Sequence, residues 1–158
     1  MSSSSSPKHF AGNTLAALSV PDINVWLALA TPEHIHNVIA KRWWQQQEGL
    51  IAFARPSQLG LLRLMTTAAA MDEKPLTITE AWRVYDRFYD DDRVTFVAEP
   101  AEVEKEFRLR AVGRAASPKI WGDAWMLAIA SAAGGVLVTF DKALGPRGAH
   151  CLLPTRNG

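Results

Sequence analysis

Apolar residues along this chain come in short runs that stop at polar or turn-forming residues, alternating with longer stretches in which they recur every three to four positions. The first run, Leu15 to Val20, ends at Pro21 and Asp22 and predicts a buried strand closing in a polar turn. Asn24 to Ala30 resumes as a helix. No breaker interrupts His34 to Gln47, where Ile39 with Trp43 and Ala40 with Trp44 stand at i,i+4, so an amphipathic helix is expected, ended by Gly49. Leu50 to Ala54 predicts a second strand. Pro56 and Ser57 then open a helix carrying Leu59, Leu62 and Met65. Thr79 is expected to cap the next helix, in which Ala81, Val84, Tyr85 and Phe88 fall at i, i+3, i+4 and i+7. After the acidic turn Asp90 to Asp92, Val94 to Val97 reads as a third strand, and Pro100 begins a helix to about Val112. Asp123 opens a run to Ala133 that is apolar nearly all round, as in a helix packed into the interior. Gly134 and Gly135 stop it. Val136 to Phe140 is the most strand-like segment of the chain and terminates at Asp141.

Strands alternating with helices predict an α/β fold with a mostly parallel central sheet flanked by helices. At 158 residues and 48% apolar composition, one hydrophobic core is expected, because a chain of that length buries about two-thirds of its unfolded surface. Residues 1–14, with Ser2 to Ser6 in a row, supply almost nothing to bury and read as a disordered tail or an appended remnant, leaving 15–158 as a single domain. The one cysteine, Cys151, excludes an internal disulfide framework and a cysteine-based zinc cluster, and suits a reducing cytoplasm. No apolar run approaches the roughly 20 residues of a membrane helix, and no signal-peptide pattern opens the chain, so a cytoplasmic protein is expected. With 17 Lys and Arg against 16 Asp and Glu, any grip on nucleic acid must come from a local groove rather than a global field.

Candidate chemistry sits at the ends of the predicted strands. Sites in an open parallel sheet form beyond the carboxyl ends of its strands, and Asp22 and Asp141 each stand just past such an end. Asp123, at the start of the buried helix, would aim a third carboxylate at the same edge, where the helix dipole favours negative charge. Taken singly, an Asp at a strand end or a helix start serves more often as a turn or cap residue. Three carboxylates gathered in a partly dry pocket repel one another unless they are protonated or neutralised by a cation. Mg²⁺ or Mn²⁺ prefers oxygen ligands and binds through a few carboxylates plus substrate phosphate, which matches this set.

The residues around these acids carry a resemblance. Pro21-Asp22-Ile23-Asn24-Val25-Trp26-Leu27-Ala28 resembles the opening D-x-N motif of PIN domains. Gly122-Asp123-Ala124-Trp125-Met126-Leu127-Ala128, followed by Leu137-Val138-Thr139-Phe140-Asp141-Lys142, is similar to the pair of segments that closes the PIN fold of VapC-type toxins. Gln58-Leu59-Gly60-Leu61-Leu62-Arg63-Leu64 is similar to the Q-L-G-x-x-R stretch of one VapC subgroup, so the likeness spans residues 15 to about 153. It implies a PIN-like three-layer fold and hydrolysis of RNA phosphodiesters by metal-activated water. It further implies that Asp22, Asp123 and Asp141 hold Mg²⁺ or Mn²⁺, that Asn24 orients the first carboxylate, and that Thr139 hydrogen-bonds beside the metal. A VapB-like antitoxin partner and a homodimer are implied in the same way.

One departure bears on activity. Many PIN domains place a glutamate in the central helix, whereas Gln58, Gly60 and Arg63 stand there in this chain and no carboxylate occurs between Glu48 and Asp72. With one acid fewer, weaker retention of a single metal is expected, and Arg63 becomes a candidate contact for phosphate or for an acidic neighbour. The alternative is therefore a catalytically weak or inactive PIN-like module that binds RNA or a partner. Trp121 and Trp125 flank Asp123, and Trp125 is a candidate for stacking on an RNA base, with core or dimer packing as its other use. Arg55, Arg114 and Lys119 are further candidates for a phosphate-gripping rim. His34 and His36, two apart on the expected helix, would face away from each other and share no ion. Glu99, behind an edge strand, is expected to lie remote. A haloacid-dehalogenase pattern fails because Asn24 and Trp26 occupy its later positions, a receiver domain lacks its second early acid, and no G-x-G-x-x-G or Walker A sequence follows a strand.

Overall fold

In the computed structural model, which describes residues 18–154, the first apolar run forms strand β1, Leu18–Pro21. The tail expected over 1–14 and the strand start expected at Leu15 lie outside the described residues. β1 leads through α1 (Ile23–Ala30) and α2 (Asn37–Gln46) to β2 (Ile51–Ala54), and α3 (Arg55–Met65) and α4 (Ile78–Phe88) lead on to β3 (Val94–Val97). The chain then crosses back through α5 (Val103–Ala111) and α6 (Ile120–Ala132) to β4 (Gly135–Thr139), and ends its sheet with the short β5 (His150–Cys151). All four pairings are parallel, in the order β3-β2-β1-β4-β5.

The two-residue alternation of β2 divides the core into layers. Ile51 and Phe53 join Trp26, Trp43, Leu61 and Tyr85 on the face covered by α1 to α4. Ala52 joins Val20, Met126, Leu127 and Leu137 on the other, and Ala54 meets Val103 and Ile129, so α5 and α6 cover that side. Burial on both faces is why these strands read as continuous apolar runs. Among the described residues, no helix is long and apolar enough to cross a membrane.

Several element ends differ from expectation for local reasons. The second helix begins at Asn37 because His34 Nδ1 accepts the His36 N–H at 3.0 Å and holds the preceding residues in a turn. The helical spacing argument for the two histidines therefore does not apply, and the His36 ring packs 4.6 Å from that of Phe140. On α3 the core face is Leu61 and Met65, while Leu59 is 59% exposed. Thr77, not Thr79, caps α4: its hydroxyl accepts the Glu80 N–H and the Glu80 carboxylate returns to the Thr77 N–H, a capping box. Pro100 stays in the turn before α5. α6 starts at Ile120, which places Asp123 one turn inside, its N–H bonded to the Lys119 carbonyl at 3.0 Å.

Between α6 and β4 the chain turns on Gly134, whose φ of +74° ends the helix. Gly135 is required for a different reason. A Cβ there would lie 2.4 Å from the Leu18 carbonyl oxygen, in the backbone of the neighbouring strand. Gly135→Ala is therefore expected to push β4 away from β1 and to destabilise by about 1–3 kcal/mol, read as a lower urea midpoint.

Candidate active site

The sheet order reverses between β1 and β4, because the chain builds outward from β1 to β2 and β3 and then returns to the other side. Loops leaving the carboxyl ends of two such strands part to opposite faces and leave a crevice between them. Asp22 follows β1 and Asp141 follows β4 across that crevice. The Asp22 N–H donates to the Val138 carbonyl at 2.8 Å, which fixes the backbone of the first loop to the second strand. Asp22 Oδ1 accepts the Ile23 N–H at 2.8 Å as the cap of α1, and Asp141 Oδ1 accepts the Ala143 N–H at 2.9 Å as the cap of the 3-10 turn Lys142–Arg147.

Asp22, Asp123 and Asp141 line one cavity of about 430 Å³ together with Asn24, Arg63, Lys119 and Trp125. Thr139 ties two of the acids from beneath. Buried in β4, its hydroxyl donates to Asp22 Oδ2 at 3.3 Å and accepts the Asp141 N–H at 3.0 Å. Asn24 is exposed at the rim, and the bonds that orient Asp22 come from Ile23 and Thr139. Burial raises the Asp22 carboxyl above its ordinary range; the bonds from Ile23 and Thr139 work against this, and the negative Asp123 adds to it. Burial also raises Asp123, with Lys119 opposing and Asp141 adding. Asp141 is lowered instead, chiefly by the Lys119 ammonium, whose Nζ donates to Oδ2 at 2.8 Å.

This donor set suits a hard divalent cation: three carboxylates line one cavity, and burial raises two of them, with Asp123 adding at Asp22 and Asp141 adding at Asp123. The set is not closed, however. Among the described residues no three acidic, histidine or cysteine side chains converge closely enough to hold an ion as they stand, and both oxygens of Asp141 are engaged, one by Ala143 and one by Lys119.

A family model described as PIN domain matches residues 19–145. The chain belongs to the PIN-domain family. This PIN chain is 41% identical over 128 residues to Ribonuclease VapC41 of Mycobacterium tuberculosis, strain CDC 1551 / Oshkosh, an alignment covering 77% of this chain and 88% of the relative. The protein of the same name from strain ATCC 25618 / H37Rv matches equally. In structure the PIN chain is similar to Mycobacterium tuberculosis VapC20, described as a Sarcin-Ricin loop cleaving toxin, with a TM-score of 0.60 over 86% of this chain and 99% of that one. At 16% identity that likeness concerns the fold. The expected three-layer α/β architecture is thus the one observed.

Other residues singled out in the sequence of this PIN domain fall in different places. The helix expected to carry a further acid presents Pro56, Arg63 and Leu64 to the cavity, while Gln58 is buried and takes a hydrogen bond from Arg55. Arg55 lies over the Phe96 ring and lines no part of the acidic cavity. Trp121 is exposed, whereas Trp125 reaches the cavity wall with its ring edge-on to Phe107. His34 lines a separate hollow with Glu33 and Asp72, and Glu99 follows the edge strand β3 outside the cavity. What sequence reasoning missed is the bond from Lys119 to Asp141, across 22 positions. A signal was present, since Lys119 stands four residues before Asp123, one turn away at the head of α6.

Because Thr139 serves Asp22 and Asp141 at once, Thr139→Val should preserve the packing of β4 yet leave the Asp141 N–H without its acceptor. A loss of about 1–3 kcal/mol in stability is expected from calorimetric melting, and a loss of roughly 10- to 100-fold in any cleavage that depends on the two acids.

Proposed function

We propose that this PIN domain is a divalent-metal-dependent endoribonuclease that acts as the toxin of a VapB-VapC type pair. The observation that carries the reading is that Asp22, Asp123 and Asp141, far apart in sequence, line one cavity at the point where the sheet order reverses. Its support from relatives is the identity to proteins named Ribonuclease VapC41. In this reading the three carboxylates hold Mg²⁺ or Mn²⁺, and the ion, when bound, supplies an activated water and charge stabilisation at the phosphodiester. The chain's own residues do the rest. Thr139 holds the Asp22 carboxylate and the Asp141 backbone through one hydroxyl, which keeps the two acids in register before substrate arrives. Arg63, exposed on the wall contributed by α3, is the candidate to meet a phosphate, and Trp125, on the same cavity, is the candidate to stack on an unstacked base. An RNA substrate, a VapB-like antitoxin, a homodimer and a cytoplasmic location accompany this reading.

The test is incubation of the purified chain with a mixed cellular RNA pool, with Mg²⁺, with Mn²⁺ and with chelator. Cleavage restricted to the metal-containing reactions is the expected result. A binding-only module is favoured by one observation, the absence of an acid on the cavity-facing side of α3. RNA retention without cleavage under every condition would establish that second reading.

A further inference from the structure

The acidic cavity already holds a positive charge of its own. Lys119 Nζ lies 2.8 Å from Asp141 Oδ2, and its charge also acts on Asp123 and Asp22. A second cation, Arg147, acts on Asp123, but it is tethered: its guanidinium donates to the Arg110 carbonyl at 2.7 Å and its own carbonyl accepts from Arg110 at 2.8 Å. Lys119 is not tethered. Its side chain is 70% exposed and its ammonium makes a single hydrogen bond among the described residues, so solvent can receive it at little cost. The acid it engages is also one of the three that a metal would need, and its other oxygen already accepts the Ala143 N–H.

We propose that Lys119 is the resident counter-ion of this cavity: it neutralises the carboxylates while no divalent cation is bound, and it must release Asp141 before one can be held. This rests on the metal-dependent reading above and adds to it a competition between a side chain and the ion for one carboxylate oxygen. The energetic scale follows from exposure. An exposed ion pair is worth little, so the ion wins once present, and the competition alters its affinity only by a small factor.

The experiment is titration of the full chain with Mn²⁺, at fixed pH and low ionic strength, by calorimetry and by the electron paramagnetic resonance signal of free Mn²⁺. Lys119→Met, which keeps the length of the side chain and removes the charge, is expected to bind Mn²⁺ about two- to fivefold more tightly than the wild type. Its metal-free form should melt lower, since the carboxylates then repel without compensation. Lys119→Arg, which keeps the charge, should show no such gain. An affinity for Lys119→Met equal to or weaker than that of the wild type would overturn the inference and leave the metal reading intact. Absence of Mn²⁺ binding in folded wild type and variants alike would remove both. A measurement on the wild type alone makes the result independent of how well a variant folds. The Lys119 Nζ resonance should move from an ion-paired to a free-lysine position as diamagnetic Mg²⁺ saturates the site, and a resonance that stays in place at saturation counts against the inference.

Discussion

Asp22→Asn is expected to abolish any metal-dependent RNA cleavage and, in the same protein freed of metal, to raise the melting temperature. The two effects have one origin. Asp22 is a largely buried carboxylate beside a second acid, and burial raises it from its ordinary value of 3.8. A group whose folded value exceeds its unfolded one contributes stability that is fully present below the unfolded value and is lost as pH rises through the folded one. Above that raised value the metal-free protein therefore carries the cost of burying the Asp22 carboxylate. The amide carries no such cost. It also keeps the cap on α1, since asparagine caps as well as aspartate and its oxygen still accepts the Ile23 N–H. A higher melting temperature is expected in calorimetry of chelator-treated protein. The pH dependence gives the sign a second check. The wild type should lose stability relative to Asp22→Asn as pH rises from the acid side through the raised carboxyl value, and the gap should be constant above it. Asp141 works in the opposite direction, because the Lys119 ammonium lowers it and its contribution is lost as pH falls, but it is common to both proteins. Loss of activity should reach a hundredfold or more, since removing even the groups that orient metal ligands costs 10- to 100-fold. A variant that is inactive and less stable would indicate that Asp22 is a structural cap. One that is more stable and fully active would remove it from the chemistry.

How much of this was legible in the sequence depends on the range over which each feature is encoded. Strands buried on both faces announce themselves as unbroken apolar runs, so β1 through β4 could be read directly, and with them the strand-end positions of Asp22 and Asp141. β5, two residues long, has no period to detect; it exists because the backbone around His150 and Cys151 finds β4 to pair with. Helix starts were displaced wherever a side chain outside the apolar pattern decided them, as His34 did before α2 and Thr77 before α4. The apolar sequence of α3 also misled. Leu59 and Leu61 are chemically alike, and only the docking of α3 on α1, where Gly60 meets Ile23, decides that Leu61 enters the core and Leu59 faces solvent. In the site, the sequence positions of Asp22, Asp123 and Asp141 could be read as ends of elements, but what surrounds their carboxylates could not. The pairing of Asp141 with Lys119 and the double use of the Thr139 hydroxyl are tertiary facts, set by how the loops after β1 and β4 meet the head of α6.

Trp26→Ala should be the most destabilising single change in the core, and its consequences should reach the site. Trp26 is fully buried on α1, stacked on Phe53 at 3.6 Å between ring centroids and met edge-on by Phe88 and Trp44. Truncation empties the centre of the α1–α4 layer at a cost of about 3–5 kcal/mol. That is a large part of the 5–15 kcal/mol that typically holds a domain together, and a fall of roughly 10 °C or more in melting temperature is expected. The functional effect follows from position: Trp26 sits one turn after Asp22 and its N–H donates to the Asp22 carbonyl at 3.2 Å, so the anchor of α1 is also the anchor of the first carboxylate. Trp26→Phe separates the two contributions. It gives up part of the indole's packing but keeps a ring for Phe53, and it deletes a buried Nε1–H that has no hydrogen-bond partner among the described residues, a group whose burial itself costs about 1–3 kcal/mol. Denaturant midpoints for the two variants should therefore differ widely, with Trp26→Phe near the wild type and active. Near-equal losses in both would mean that the indole's size, rather than an aromatic face against Phe53, is what holds α1 and Asp22 in place.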